Sequence, residues 1–193
     1  VRRGVLGGTF DPIHLGHLRA AENAREALSL DQVLFVPSGS PPHRRAPLSS
    51  GLDRFAMVAL ATALHPGFLP SDLELLRDGP SYTADTMDAL QREGPADQLF
   101  LIVGSDTFPE METWKDPDRL FGSCTVAVAE RPGAAPADVP ARRGTPARVE
   151  RVAGPGLAVS ATEVRRRVRD GLSVRFLVPD PVADYIAKRG LYL

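Results

Sequence analysis

The sequence predicts an α/β fold, a doubly wound and mainly parallel sheet with helices on both faces, and three observations carry that reading. Strand and helix signals alternate along the chain, a glycine turn joins the first strand to the first helix, and 193 residues with 43% hydrophobic side chains suffice for one sizeable core. Residues 3–6 read as a short strand and 18–28 as a helix. A β-branched and aromatic run makes 32–36 the second strand, followed by a loop over 37–50 and by helical apolar spacing over 52–64. Residues 68–76 form a weaker strand, 83–92 a helix, 98–103 the clearest buried strand and 124–129 another. Four prolines mark 131–146 as an irregular, mobile surface loop. A short strand at 148–152 and two helices at 162–169 and 181–188 complete the series. No internal repeat interrupts it. Residues 1–193 are expected to form a single domain that ends in a small helical segment from about 160 to 193.

Composition narrows the class of partner. A net charge of -1 gives no overall attraction to nucleic acid. A lone cysteine, Cys124, excludes an intramolecular disulfide and is compatible with a reducing compartment. No apolar run approaches a membrane span, and the first glycine motif begins too early for a removable signal peptide, so the expected compartment is the cytoplasm. Lys115 and Lys188 stand beside 21 arginines, a bias that fits either genome composition or heat adaptation.

The richest stretch runs from Gly7 and Gly8 through Thr9, Phe10, Asp11, Pro12 and Ile13 to His14, Gly16 and His17. The glycines fall where a strand hands over to a helix, so backbone N–H groups and the positive end of the helix dipole can face an anion. Gly7 and Gly8 let that backbone approach a ligand closely. Spaced i, i+3, His14 and His17 can aim N–H donors at phosphate oxygens from one side of an opening helical turn. Taken singly, a Gly-Gly turn or a histidine pair is commonplace; their contiguity points to a polyphosphate site. The spacing of Gly4, Gly7 and Gly8 does not match the dinucleotide fingerprint, and there is no Walker-type loop. The remaining histidines, His43 and His65, and Cys124 do not complete a usual zinc set, so no protein-held metal is expected.

In an open parallel sheet, ligands collect at the carboxyl ends of strands near the point where strand order reverses. The first glycines, then Gly104-Ser105-Asp106, and then a late segment around Ser160 all fall at such places. Ser160-Ala161-Thr162-Glu163 also reads as a capping box, with Glu163 reaching back to Ser160. Thr162 and Arg165 are i, i+3 neighbours at that helix start, where hydroxyl, guanidinium and free N–H groups can meet phosphate. Arg166, Arg167 and Arg169 read as a solvated face. Asp106 reads equally as a helix cap.

With these residues in hand, the chain resembles the nucleotidyltransferases that carry (H/T)-x-G-H and I-S-x-T-x-x-R signatures, and among them the bacterial nicotinate-mononucleotide adenylyltransferases. Pro41-Pro42-His43-Arg44, Pro80 to Thr86, Gly104-Ser105-Asp106, Trp114, Arg131-Pro132-Gly133 and Val159 to Arg165 follow the family's order, as do Leu177-Val178-Pro179 and the ending Gly190-Leu191-Tyr192. The resemblance implies a Rossmann-like fold and adenylyl transfer from ATP to nicotinate mononucleotide, giving deamido-NAD and pyrophosphate. It implies that His17 meets the transferring α-phosphate, with His14 and Arg165 on the ATP phosphates. Gly7, Gly8, Thr9, Phe10, Gly104, Asp106, Ser160 and Thr162 are the implied ATP-binding residues. Arg44, Thr83, Trp114 and Arg131 are those for nicotinate mononucleotide, Trp114 stacking on the pyridine ring and Thr83 meeting the carboxylate. A lone tryptophan also reads as core packing. Arg44 stands where many relatives have lysine, and Glu110 where some carry an aromatic residue. Mg²⁺ is expected to travel with ATP, held by phosphates and water. The expected partners are therefore ATP and nicotinate mononucleotide, with no nucleic acid and no membrane, and a homo-oligomer is compatible with the sequence. A phosphopantetheine-type adenylyltransferase shares the first and last signatures, and a non-catalytic nucleotide-binding module is the reading from another class.

Overall fold

A computed structural model of the chain describes residues 1–40, 47–130 and 148–193. Its strands are β1 (Arg2–Gly8), β2 (Gln32–Pro37), β3 (Phe68–Pro70), β4 (Gln98–Gly104), β5 (Thr125–Ala129) and β6 (Arg148–Val152). They form one six-stranded sheet in the order β3-β2-β1-β4-β5-β6, and every pairing is parallel. The helices are α1 (Leu15–Ala27), α2 (Gly51–Thr62), α3 (Thr83–Glu93), α4 (Pro117–Ser123), α5 (Ala161–Arg169) and α6 (Asp180–Arg189), with a 3-10 segment at Phe108–Thr113.

Alternation along each strand builds the two cores, because successive side chains point to opposite faces. Val33 and Phe35 of β2 and Phe100 and Ile102 of β4 face α1, α2, α5 and α6. Leu34 and Val36, with Leu99, Leu101 and Val103, face α3, α4 and the 3-10 segment. Gly4, in the middle of β1, sits where neighbours already fill the space. A Cβ there would lie 2.9 Å from Leu30 and 3.0 Å from Ile102.

Strand order reverses between β1 and β4. Their pairing runs only from Arg2 with Gln98 to Val5 with Leu101, although β1 continues to Gly8 and β4 to Gly104. The two strand ends part beyond that point, and the gap between them opens the crevice that this topology places there.

Three differences from the sequence reading have local causes. Helix α1 begins at Leu15 rather than residue 18, because His14 already serves as its extended N-cap. The third strand stops at Pro70. Residues beyond it turn, with the Leu75 and Leu76 N–H groups donating to Asp72 O. Helix α4 and the 3-10 segment were not expected. The predicted loop at 131–146 lies outside the described residues, as do Arg44 and Arg131.

Candidate active site

The crevice at the parted ends of β1 and β4 is lined by Leu6, His14, Gly16, His17, Gly104 and, from the segment before α5, Gly156, Leu157 and Val159. His14 is 4% exposed, and its ring stacks on that of His17 with centroids 3.6 Å apart and planes 21° from parallel. A Cβ on Gly16 would lie 3.0 Å from His14 Nδ1 and 3.3 Å from Leu157 O, so this glycine makes room for both the ring and the later segment. The His14 backbone N–H donates to His17 Nδ1 at 3.2 Å. An Nδ1 acting as acceptor leaves the proton of the neutral ring on Nε2, which makes His17 a fixed N–H donor.

The turn between β1 and α1 is held from below and from behind. Phe10 adopts a left-handed backbone (φ 49°) that sends its ring, 2% exposed, beneath the histidines. There it meets His17 edge-on at 5.1 Å and Phe35 at 6.1 Å. Any ligand contact from Phe10 therefore falls to its backbone. Arg54 of α2, 2% exposed, donates to the Thr9 carbonyl at 2.8 Å. Burial lowers the Arg54 pKa, and the Asp11 charge opposes that shift.

Asp11 gathers distant parts of the chain. Its carboxylate accepts from the Leu48 N–H at 2.8 Å, from the Ser49 hydroxyl and from the Tyr192 hydroxyl at 2.7 Å. Its carbonyl accepts from Arg165 Nη1 at 2.6 Å, while Arg165 Nη2 donates to the Thr162 hydroxyl at 3.2 Å. Arg165 is thus brought to the turn between β1 and α1 across 154 residues of sequence. Ser160 caps α5 by accepting from the Glu163 N–H at 3.2 Å. The other half of the expected capping box does not form as read: the Glu163 carboxylate pairs with Arg166 at 2.8 Å, a local i, i+3 partner that out-competes reaching back. Arg166 is exposed, as expected.

Gly7 and Gly8 end β1, and a Cβ on Gly7 would meet nothing within 4 Å, so the strand edge there is open to an incoming group. Gly104 ends β4, with Asp106 exposed just beyond. Thr83 opens α3, half-buried. Trp114 follows the 3-10 segment, half-buried and packed against the second core, so it combines a packing role with an exposed part. Its neighbour Lys115 sits over the Tyr82 ring at 4.3 Å and pairs with Asp85 at 3.3 Å, which ties the Trp114 segment to the start of α3. Glu110 is exposed on the 3-10 segment. Asp11 and Arg54 went unassigned in the sequence reading, as did Gly156 and Leu157. Only the glycines of Gly154-Pro155-Gly156 carried a local signal, that of a turn. Among the described residues no group of three or more His, Cys, Asp or Glu side chains could hold a metal ion, and no helix is long and apolar enough to cross a membrane.

The cytidylyltransferase-like family matches residues 5–167. A Thermus thermophilus protein named "Probable nicotinate-nucleotide adenylyltransferase" is 45% identical over 192 residues, covering all of both chains. One of the same name from Geobacter metallireducens is 42% identical over 216 residues, covering all of this chain and 98% of its own. The fold is shared with the Plasmodium falciparum nicotinic acid mononucleotide adenylyltransferase complexed with NaAD, at a TM-score of 0.80 and 16% identity over 99% of this chain and 97% of that one. By its family match and by its full-length similarity to these relatives, the chain belongs to the nicotinate-nucleotide adenylyltransferases of the cytidylyltransferase-like family.

Proposed function

We propose that the chain transfers the adenylyl group of ATP to nicotinate mononucleotide, forming deamido-NAD and pyrophosphate. The observation that carries this reading is the stacked pair His14 and His17 in the crevice where the sheet reverses, with Arg165 of α5 held on the carbonyl of Asp11, three residues before His14, at 2.6 Å. A phosphate oxygen of the mononucleotide attacks the α-phosphorus of ATP, a new P–O bond forms, and the bond to the β-phosphate oxygen breaks as pyrophosphate leaves. The nucleophile is already ionised near neutral pH, so the protein's task is to align two anions and offset their repulsion.

His17 donates from Nε2 to the α-phosphate as charge develops there, and His14 and Arg165 hold the ATP phosphates. Backbone N–H groups of Gly7 to Phe10 face the polyphosphate, with Ser160 and Thr162 supporting from α5. Gly104 and Asp106 border the nucleoside. Thr83, Trp114, Arg44 and Arg131 serve the acceptor, its carboxylate taking hydrogen bonds from Thr83 and nearby N–H groups and its pyridinium lying against the indole. Magnesium enters as part of the ATP substrate, held by phosphate and water oxygens.

Pyrophosphate release is the test, measured with ATP and a panel of acceptors at fixed pH and magnesium. Nicotinate mononucleotide gives the highest kcat/KM, nicotinamide mononucleotide a lower one and phosphopantetheine none. Equal values for the acid and the amide would remove the carboxylate basis for specificity, and release with phosphopantetheine alone would replace the acceptor.

A further inference from the structure

Glu74 lies in the turn that follows β3, 7% exposed, and it takes part in none of the contacts described above. Its carboxylate accepts from the Thr86 hydroxyl at 2.6 Å, and that hydroxyl in turn accepts from Arg77 Nη2 at 3.1 Å. Ser81 Oγ accepts from the backbone N–H groups of Gly39 at 2.9 Å and Ser40 at 3.1 Å, while the Ser81 N–H donates to the Ser40 carbonyl at 2.9 Å. A Cβ on Gly39 would overlap the Glu74 carbonyl, so the segment beyond β2 is pressed against this turn.

A carboxylate that desolvated is retained only against strong partners, and here the hydroxyl donor, Thr86, comes from the first turn of α3. Burial pushes the Glu74 pKa up, while Thr86, Ser81 and the charge of Arg77 pull it back. Ser81 and Thr86 bracket Thr83 in sequence. The carboxylate therefore fixes the first turn of α3 through Thr86, while Ser81, just before that helix, ties the same segment to residues 39–40.

We propose that Glu74 is a positioning residue for the acceptor nucleotide: by holding Thr86 with its carboxylate and packing its carbonyl against Gly39, it sets Thr83 and the start of α3 relative to the β2 end. The proposal rests on the assignment of Thr83 to the acceptor. It places no demand on the ATP side, whose contacts come from β1, α1, the end of β4 and α5.

The test is steady-state kinetics of the full chain with Glu74→Gln, Thr86→Val and the two combined, together with thermal melting of each. A glutamine carboxamide is neutral, so Glu74→Gln holds the Thr86 hydroxyl more weakly than the carboxylate does. KM for nicotinate mononucleotide should rise about tenfold in Glu74→Gln and in Thr86→Val, while kcat and KM for ATP stay within about twofold. The combined variant should be little worse than either single one, because both changes break the same contact. Thr86→Val leaves the carboxylate in place and supplies the same readout if Glu74→Gln does not fold. Equal rises in both KM values, a fall in kcat alone, or additive effects in the double variant would overturn the positioning role. A wild type that turns over nicotinate mononucleotide with unchanged variants overturns this inference alone; a wild type with no such turnover overturns the proposed function and this inference with it.

Discussion

Replacing His17 with alanine should lower turnover at saturating substrates about 10² to 10³-fold, or roughly 3 to 4 kcal/mol of barrier. The geometry sets that size. His17 is clamped between the His14 ring at 3.6 Å and the edge of Phe10 at 5.1 Å, and the His14 N–H fixes Nδ1 as an acceptor. In the proposed role the Nε2 proton need not reorient at the moment of reaction, the condition under which one donor is worth most. Alanine removes a second thing, the acceptor for the His14 N–H at the start of α1, at about 1 kcal/mol of stability. Asparagine separates the two effects, because its carboxamide oxygen can take the place of Nδ1 while nothing replaces Nε2. His17→Asn should recover most of the melting temperature and little of the turnover. The assay is pyrophosphate release under saturating ATP and acceptor, with melting curves for both variants. Near-normal turnover in either variant would refute the role given to His17.

Three further outcomes follow from single positions. Trp114→Ala should raise KM for nicotinate mononucleotide and leave KM for ATP nearly unchanged, with about 1 to 2 kcal/mol of stability lost because the indole is half-buried rather than fully packed; a silent tryptophan-fluorescence titration of the wild type with that ligand would confine Trp114 to the core. Gly4→Ala should destabilise by about 1 to 3 kcal/mol through contact with Leu30 and Ile102, whereas Gly7→Val should leave the melting temperature unmoved and abolish turnover, since its side chain enters open space beside the phosphate turn; equal melting losses in the two variants would contradict this. The Ser50 hydroxyl first, then Tyr185 and Arg189, hold the Asp53 carboxyl below the usual aspartate range, which ties α2 to α6. A carboxyl with a lowered folded pKa contributes stability above its unfolded value of about 3.9 and loses it as pH falls through the folded value. Asp53→Asn should therefore melt well below the wild type at neutral pH and close to it in strong acid; a gap independent of pH would exclude the linkage.

Residues 32–36 and 98–103 were legible because a doubly buried strand needs a continuous apolar run, and α1 to α3 because one face of each is apolar. Helix α4 was not, since Leu120 and Phe121 are all that its seven residues bury, too few to set a period. The edge strand β3 borrowed its predicted length from Leu73, Leu75 and Leu76, which belong to the turn beyond Pro70. Gly7, Gly8, His14 and His17 could be placed at one strand-to-helix turn because that turn is contiguous in sequence. Asp11 and Glu74 could not. A buried carboxylate is explained only by its partners, and Asp11 finds Tyr192 across 181 residues and Ser49 across 38. Arg54 was hidden for the same reason, lying in an otherwise amphipathic helix and reaching a carbonyl 45 residues away.

The most direct measurement follows the phosphorus atoms of labelled ATP in the presence of the full chain, magnesium and nicotinate mononucleotide. Label in the α-position should appear in deamido-NAD, separated and identified by mass, and label in the γ-position should appear in pyrophosphate in equal molar amount. Transfer of the γ-label to the acceptor, release of free AMP without a dinucleotide, or no consumption of ATP would contradict adenylyl transfer by this chain.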